Sequence, residues 1–332
     1  MNNYNTWLKT GFVSEKIPME TNLKDEILYL KKKKNVAILA HFYQNAEIQN
    51  IADYIGDSLA LAHIAKTTNS DIILLCGVYF MGETAKILNP QKMVIVPDLN
   101  AGCSLADSCP ADKFEEFIKK HPNHKVVTYV NTTAAVKAIS DIVVTSTNAA
   151  YIINNFPKEE KLIFGPDKNL GNYLNSITGR NMVLWDGACH VHEKFSVEKI
   201  LELKKSVPEA KILAHPECKK PVLLIADFIG STAAILKYSI NSKNKNFIVA
   251  TEAGILHEMR KKSPDKNFIP APPNDSTCGC NNCEFMKLNT LEKIYLSLIY
   301  EFPQVEIDEE LRKKAFLPIK RMLEMSEEGK QN

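Results

Sequence analysis

The sequence predicts an α/β protein made of three similar three-layer αβα domains, with parallel sheets placed around a pseudo-threefold axis. Three observations predict this fold class. Short apolar runs alternate with stretches of helical periodicity along most of the chain, these runs fall into a threefold repeat, and each repeat closes with a cysteine just after a strand. Alternating strand and helix patterns are typical of βαβ units and therefore of parallel sheets.

The apolar runs are short, continuous and rich in Val and Ile, as strands buried on both faces are. An amphipathic helix precedes them, beginning near Asn22 and ending in the lysine run 31–34, where cations favour a helix carboxyl terminus. Two further helices, over 291–300 and 308–325, follow the last strand. The predicted strands cover 36–40, 72–75, 93–96, 126–129, 142–144, 162–164, 182–185, 212–214, 226–229, 247–250 and 268–270.

The repeat is defined by matching stations along the chain. Each repeat opens with a polar residue after a strand, and the openings are 88 and 86 positions apart, at His41, Tyr129 and His215. A hydroxyl station follows 16 or 17 positions later, at Ser58, Ser146 and Ser231. A third station follows at 80–83, 165–168 and 250–254. Stations recurring in the same order three times indicate three related domains.

Each repeat closes with a cysteine at the carboxyl end of a strand, namely Cys103, Cys189 and Cys283. Ligands of open α/β sheets bind beyond the carboxyl ends of the strands. Three domains around one axis would therefore direct these cysteines into a common pocket. We expect the domains to span 1–105, 106–190 and 191–287, with the C-terminal helices of 288–332 packing back on the first.

Composition excludes several classes of protein. The 332 residues are 45% hydrophobic and 24% charged with a net charge of +2, so neither a nucleic-acid surface nor a membrane is indicated. No apolar run is long enough to span a bilayer, and the first residues lack a signal-peptide pattern, which predicts a cytoplasmic protein. Eight cysteines are too sparse for a disulfide scaffold in a chain of this length, so they suggest metal ligands, catalysts or core residues.

The segments that carry these three cysteines are called the cysteine arms below. Three thiolates on separate arms suit a [4Fe–4S] cluster in which one iron has no protein sulfur. The spacing by itself is weakly specific, because zinc also accepts three cysteines and a histidine. Cys109 is the rival of Cys103 on the same arm, and Cys76 is expected in the core. The remaining thiols, expected to be bystanders, are Cys218, Cys278 and Cys280.

Polar residues two positions apart follow the opening strands, as in His215 and Glu217, and both would reach one pocket mouth for proton transfer. For His192 a structural role is the favoured interpretation.

The hydroxyl stations predict either anion sites at helix starts or ordinary helix caps. A glycine-rich dinucleotide fingerprint and a P-loop are both absent from the sequence, so nicotinamide and ATP are not indicated. The other openings pair His41 with Tyr43 and Tyr129 with Asn131.

Several longer segments contain these motifs, namely 40–44 (AHFYQ), 80–88 (FMGETAKIL), 102–105 (GCSL), 129–132 (YVNT), 166–171 (PDKNLG), 185–192 (WDGACHVH), 215–217 (HPE), 230–232 (GST) and 286–289 (MKLN). Together these segments, spread over nearly the whole chain, resemble the quinolinate synthase family of NAD biosynthesis. The last arm departs slightly from some relatives, which have Cys-x-x-Cys-x-x-Cys; here Cys278 and Cys280 precede Cys283, and only Cys283 keeps its place before the Met-x-x-Asn segment.

The resemblance implies a [4Fe–4S] cluster on Cys103, Cys189 and Cys283, and condensation of iminoaspartate with dihydroxyacetone phosphate to quinolinate with loss of phosphate and two waters. Glu217 with His215 would move protons, and Tyr43 and Tyr129 would assist enolisation or ring closure. The implied substrate-binding residues are His41, Ser58, Tyr129, Val130, Asn131, Ser146, His215, Pro216, Glu217, Ser231 and Thr232.

Three alternatives stay open at this point: another hydro-lyase with an open-iron cluster, a cluster-based iron or oxygen sensor, and a zinc-stabilised binding module. The partners that the resemblance implies are the two small-molecule substrates and, transiently, an L-aspartate oxidase or dehydrogenase that delivers iminoaspartate.

Overall fold

The computed structural model describes residues 2–274 and 281–329 and contains three four-stranded parallel sheets flanked by helices, which confirms the predicted α/β class. The strands are β1 (Val36–His41), β2 (Tyr54–Gly56), β3 (Ile72–Cys76), β4 (Met93–Ile95), β5 (His124–Tyr129), β6 (Ile142–Val144), β7 (Lys161–Gly165), β8 (Val183–Leu184), β9 (Lys211–Ala214), β10 (Phe228–Ile229), β11 (Asn246–Ala250) and β12 (Asn267–Pro270). The three sheets share one topology, with the orders β2-β1-β3-β4, β6-β5-β7-β8 and β10-β9-β11-β12.

Every predicted apolar run forms a strand, and one strand, β2, was not predicted. Its residues lack a continuous apolar run, and Tyr54 is exposed at the sheet edge. The threefold repeat would have predicted β2, because β6 and β10 stand at the corresponding position of the other two sheets.

Sixteen α-helices and two 3₁₀ turns lie among the described residues. As predicted, the second helix begins after Asn22, whose side chain accepts a hydrogen bond from the Asp25 N–H. The α-helices are α1 (Asn2–Thr10), α2 (Leu23–Lys33), α3 (Ala46–Ile51), α4 (Ser58–Thr67), α5 (Tyr79–Leu88), α6 (Ser104–Asp107), α7 (Ala111–Lys119), α8 (Ala134–Ala138), α9 (Ala149–Asn154), α10 (Lys168–Thr178), α11 (Val197–Ser206), α12 (Lys220–Leu224), α13 (Thr232–Asn241), α14 (Ile255–Lys262), α15 (Leu291–Tyr300) and α16 (Glu309–Glu328). The 3₁₀ turns are His192–Lys194 and Met286–Leu288.

The chain divides into two compact units: a first unit of Met1–Cys103 with Glu284–Lys313, and a second unit of Ser104–Cys283 with Lys314–Asn332. The first unit contains the sheet of β1 to β4, and Ile294 and Leu298 of α15 complete its fully buried core. The second unit contains the other two sheets and the later part of α16, from which the Arg321 guanidinium donates to the Asp141 carbonyl at 2.7 Å. None of the described helices has the length and hydropathy that a transmembrane span requires.

In each sheet an aspartate forms hydrogen bonds with the backbone at the equivalent position of one strand. Its carboxylate accepts the N–H of a residue in the first strand of its repeat, 15 positions earlier, and its own N–H returns a bond to that residue's carbonyl. A lysine pairs with each carboxylate at 2.8 to 3.3 Å. The three pairs are Asp53 with Ile38, Asp141 with Val126, and Asp227 with Ile212. This contact extends the predicted repeat to hydrogen-bond geometry.

Asp227→Ala tests one of these contacts. Burial opposes ionisation of Asp227, but hydrogen bonds from Lys211 and the Ile212 N–H outweigh it and lower the pKa from 3.8. We expect the free energy of unfolding to fall by about 1 kcal/mol at pH 7. Because the folded pKa is lowered, the stabilisation is present above pH 3.8 and is lost as the pH falls through the folded value.

Urea unfolding of the variant and the parent at descending pH measures this difference. A difference that stays constant below pH 3.8 would show that the charged carboxylate is not its source. Asp265→Ala is the matched control, since Asp265 pairs with Lys245 where both side chains are 60% exposed, and we expect no measurable change.

Candidate active site

In the first unit, a histidine and a tyrosine stand at the carboxyl end of β1. His41 ends the strand and is buried, and Tyr43 follows it by two positions. The Tyr43 N–H donates to His41 Nδ1 at 3.2 Å, and the rings pack edge to face with centroids 4.4 Å apart. Because Nδ1 accepts this bond, the neutral ring carries its proton on Nε2. Lys287 Nζ donates to the Tyr43 carbonyl at 2.6 Å and holds the turn in place.

The second unit brings together four of the predicted site residues from two sheets. Tyr129 ends β5, and its hydroxyl donates to Glu217 Oε1 at 2.6 Å. His215 follows β9, and its Nε2 lies 3.2 Å from Ser146 Oγ. The Glu217 N–H donates to His215 Nδ1 at 3.3 Å, which repeats the bond between Tyr43 and His41. His215 therefore also carries its proton on Nε2 and donates it to Ser146.

His192 belongs to the same network, although a structural role was the favoured prediction for it. Its Nδ1 lies 3.0 Å from Glu217 Oε2 and 3.2 Å from Cys189 Sγ. Its Nε2 lies 3.0 Å from Thr251 Oγ1, and its ring stacks on His215 with centroids 4.8 Å apart. The His192 ring therefore connects the cysteine arm to Glu217.

Burial and the neighbouring polar groups together set the charges in this network. Burial lowers the pKa of His215 to about 3, so this ring is neutral at pH 7. Burial alone would raise the pKa of Glu217, but its interactions with the His192 ring and the Tyr129 hydroxyl stabilise the carboxylate and lower its pKa to about 2. Burial and the Glu217 charge raise the pKa of Asp167 well above its ordinary value. Glu217 is therefore the carboxylate that ionises in preference to Asp167.

Buried acids hold the cysteine arms of the second unit. Asp167, two positions after β7, accepts the Cys189 N–H at 3.3 Å through Oδ2 and the first-turn N–H of Leu170 through Oδ1. Glu252, two positions after β11, accepts the Cys283 N–H at 3.1 Å. Both acids have no exposed surface. They stand at the third station of the repeat, which the sequence located without assigning it this role.

The cysteines within the described residues divide by environment. Cys76, Cys109 and Cys218 are fully buried, and burial raises the pKa of each thiol, that of Cys109 to about 12. A thiol that resists ionisation is a poor metal ligand, which argues against Cys109 as the rival of Cys103. The two other predicted bystanders, Cys278 and Cys280, lie outside the described residues.

The three predicted ligands, Cys103, Cys189 and Cys283, are partly exposed thiols that follow strand ends. This donor set fits the thiolate ligation of an iron–sulfur cluster. Ser104, the residue after Cys103, hydrogen-bonds His190 Nδ1 at 2.6 Å, and His190 is the residue after Cys189.

Helix capping accounts for one of the three hydroxyl stations. Ser231 is the N-cap of α13 and accepts the Ala234 N–H at 3.2 Å, and Thr232 begins that helix. At the first station Asp57, rather than Ser58, caps α4. Ser58 and Thr232 thus stand at helix starts, where unpaired N–H groups favour anions.

Three predicted residues follow the same strands without a side-chain contact that defines a role. Val130 and Asn131 come directly after β5, and the Val130 N–H donates to the Val144 carbonyl at 2.8 Å. Pro216 separates His215 from Glu217 and is buried. Their proximity to the network comes from the backbone alone, so their assignment as substrate-binding residues stays a prediction.

Gly187→Ala tests how closely the Cys189 arm is fitted. A Cβ at Gly187 would lie 2.5 Å from the Pro166 carbonyl oxygen, which is rigid backbone. We expect the free energy of unfolding to fall by about 1–3 kcal/mol, as overpacking does, with displacement of the arm. Thermal unfolding and iron content measure the two effects. Gly102→Ala beside Cys103 is the control, because its Cβ would meet its nearest atom at 3.7 Å. Equal behaviour of the two variants would contradict the close fit.

Parallel sheets with buried carboxylate and imidazole groups and with thiols at their strand ends define an α/β enzyme with a soft-metal donor set. Comparison with known proteins identifies the family. The model of NadA, the quinolinate synthetase A protein, matches residues 25–324, so the chain belongs to this enzyme family and the predicted resemblance is confirmed.

Several curated relatives cover nearly the whole chain. A quinolinate synthase of Thermosynechococcus vestitus is 56% identical over 309 residues, which is 93% of this chain and 97% of the relative. One of Nostoc punctiforme is 58% identical over 297 residues, covering 90% and 91%. One of Chloroherpeton thalassium is 53% identical over 315 residues, covering 94% and 98%.

Proposed function

We propose that the protein condenses iminoaspartate with dihydroxyacetone phosphate to form quinolinate, with loss of one phosphate and two waters. This stoichiometry balances the carbon, nitrogen and oxygen of the two reactants. Family membership supports the reaction. The observation that carries the proposal is the buried contact of Glu217 with Tyr129 and His192 beside Cys189, because it places a proton acceptor next to a candidate metal ligand.

Glu217 is the proposed base that removes a proton from the triose carbon. Its carboxylate is ionised at neutral pH, as a proton acceptor must be. A base with a low pKa is weak in the resting enzyme, but the carboxylates of bound iminoaspartate would raise the pKa of Glu217 toward the range in which bases work best. The Tyr129 hydroxyl donates to the same carboxylate and can pass a proton to a developing oxyanion.

His215 is proposed to donate a hydrogen bond rather than to carry charge. Burial keeps the ring neutral, and Nδ1 is occupied by the Glu217 N–H, so Nε2–H is the donor of the ring and faces Ser146. A neutral imidazole donor can polarise a carbonyl oxygen without attracting anions strongly. Ser146, Ser231 and Thr232 would then bind carboxylate or phosphate oxygens from hydroxyl and helix-start donors.

From the first unit, His41 and Tyr43 would donate to the substrate in the same manner, since the Tyr43 N–H fixes the His41 tautomer just as Glu217 fixes that of His215. Tyr43 is proposed to assist enolisation or ring closure. Ser58 at the start of α4, with Val130, Asn131 and Pro216, is proposed to complete the substrate contacts.

Cys103, Cys189 and Cys283 are the proposed ligands of a [4Fe–4S] cluster. When bound, such a cluster would supply a Lewis acid that polarises a substrate oxygen and assists loss of hydroxide. The protein's contribution is to hold the arms, through Asp167 at Cys189 and Glu252 at Cys283. The cytoplasmic location, the three domain boundaries and a transient aspartate-oxidising partner stay predictions.

The decisive experiment incubates anaerobically purified, iron- and sulfide-analysed protein with iminoaspartate and dihydroxyacetone phosphate, and follows a pyridine dicarboxylate by mass spectrometry. Omission of the triose phosphate is the control. We expect product only with both substrates. Cluster-loaded protein that forms no pyridine product but dehydrates a hydroxy acid would instead support the alternative of another hydro-lyase.

A further inference from the structure

Cys189, His192 and Glu217 form a second candidate metal site within the second unit. Sγ, an imidazole nitrogen and a carboxylate oxygen lie within 4.8 Å of one another, which identifies this group among the described residues. His192 Nδ1 is 3.2 Å from Sγ and 3.0 Å from Oε2. Zinc bonds of about 2.0–2.3 Å place tetrahedral ligand atoms roughly 3.3–3.6 Å apart. The two distances from His192 Nδ1 are thus within a few tenths of an ångström of those between zinc ligands, and the third pair lies within 4.8 Å.

Charge and burial favour a cation at this point. The side chains of His192 and Glu217 are only 3% and 4% exposed. Asp167, which accepts the Cys189 N–H, is a further buried acid beside this group. A buried anion is costly unless it is compensated. A carboxylate, a thiolate and a neutral imidazole together suit a divalent ion of intermediate softness.

Each donor is also oriented by a second hydrogen bond, as ligands in metal sites are. Thr251 engages His192 Nε2 and leaves Nδ1 for the ion. Tyr129 engages Glu217 Oε1 and leaves Oε2. Asp167 accepts the backbone N–H of Cys189 and so fixes the segment that carries the sulfur. These outer contacts are separate from the contacts within the three-atom group.

We propose that the cluster-free protein binds one Zn²⁺-class ion through Cys189 Sγ, His192 Nδ1 and Glu217, with the fourth position open. Binding releases the thiol proton of Cys189 to solvent and involves no redox change. Because Cys189 is also a proposed cluster ligand, the ion and the cluster exclude each other; this exclusion is the part that rests on the proposed function. An ion bound here also removes Glu217 from proton transfer.

The test uses the full-length, cluster-free protein prepared without oxygen and titrated with Co²⁺, whose bond to a thiolate gives a charge-transfer absorption. We expect one equivalent to bind, with displacement by Zn²⁺. His192→Ala and Glu217→Gln should weaken binding by about 100-fold or more, since even the loss of an outer contact costs 10–100-fold. His190→Ala is the matched control and should bind normally, because His190 contacts Ser104 and lies outside the three-atom group.

Cys103→Ser and Cys283→Ser separate this site from the cluster. Both should retain the Co²⁺ absorption while losing the ability to hold iron and sulfide. Loss of the Co²⁺ absorption in these two variants, or full affinity in His192→Ala, would overturn the proposal. Circular dichroism of the metal-free variants checks folding, and His192→Asn provides a smaller change at the same position if the alanine variant does not fold. If the turnover experiment gives no pyridine product, the proposed function is contradicted, but the Co²⁺ result is unaffected.

Discussion

Glu217→Gln is expected to lower kcat/KM by about 10²–10⁴-fold while iron and sulfide content stay at the parent level. Glutamine keeps the shape of the side chain and can still accept the Tyr129 hydrogen bond, which is 2.6 Å long in the parent. It cannot accept a proton, so the loss isolates the basic function of Glu217. Anaerobic turnover with both substrates, combined with metal analysis of the same sample, measures the two quantities.

Glu258→Gln is the matched control, because Glu258 is a buried glutamate of the same unit that pairs with Lys261 at 3.3 Å on α14. We expect it to retain turnover. Parent-level turnover in Glu217→Gln would remove Glu217 from the role of base. Tyr129 and His192, which contact the same carboxylate, would then be the candidates for the base.

Cys189→Ser is expected to abolish the cluster and the activity together. Serine has a far less acidic and harder donor than a thiolate, and soft thiolates are the ligands that iron–sulfur clusters select. The arm itself should stay folded, because its anchor is the backbone N–H that Asp167 accepts. Iron and sulfide analysis, visible absorption and turnover of the anaerobic protein provide the measurements.

Cys109→Ala is the control for general loss of a thiol. Cys109 is fully buried with Phe114 and Val126, and its thiol resists ionisation. We expect this variant to keep its iron, at a modest cost in stability. A Cys189→Ser protein that is active without a cluster would remove the cluster from the mechanism.

Local pattern predicted much of the fold because buried parallel strands need continuous apolar runs. The run at 126–129 became part of β5, and Asn22 capped α2 as expected. β2 escaped prediction because an exposed edge strand of three residues needs no apolar run. The predicted repeat would have located this strand. The equivalent hydrogen bonds of Asp53, Asp141 and Asp227 show that the three repeats match down to individual contacts.

Side-chain partners were less accessible to sequence reasoning. The role of His192 depends on Glu217 and Thr251, which lie 25 and 59 positions further along the chain. Asp167 and Glu252 were recognised only as members of a repeated station. Their bonds to Cys189 and Cys283 require strand ends to approach to within one hydrogen bond, which spacing alone does not specify.

Apolar periodicity and motif spacing are properties of the linear chain, and they were enough to predict the α/β class, the threefold repeat and the cysteine arms, while the resemblance of the motifs indicated the family. The contacts of Tyr129 and His192 with Glu217, which leave it ionised although buried, are visible only in the folded protein. The reason is physical. The pKa of a buried group depends on the positions of its neighbours in space, and Tyr129 reaches Glu217 across 88 positions of chain from a different sheet.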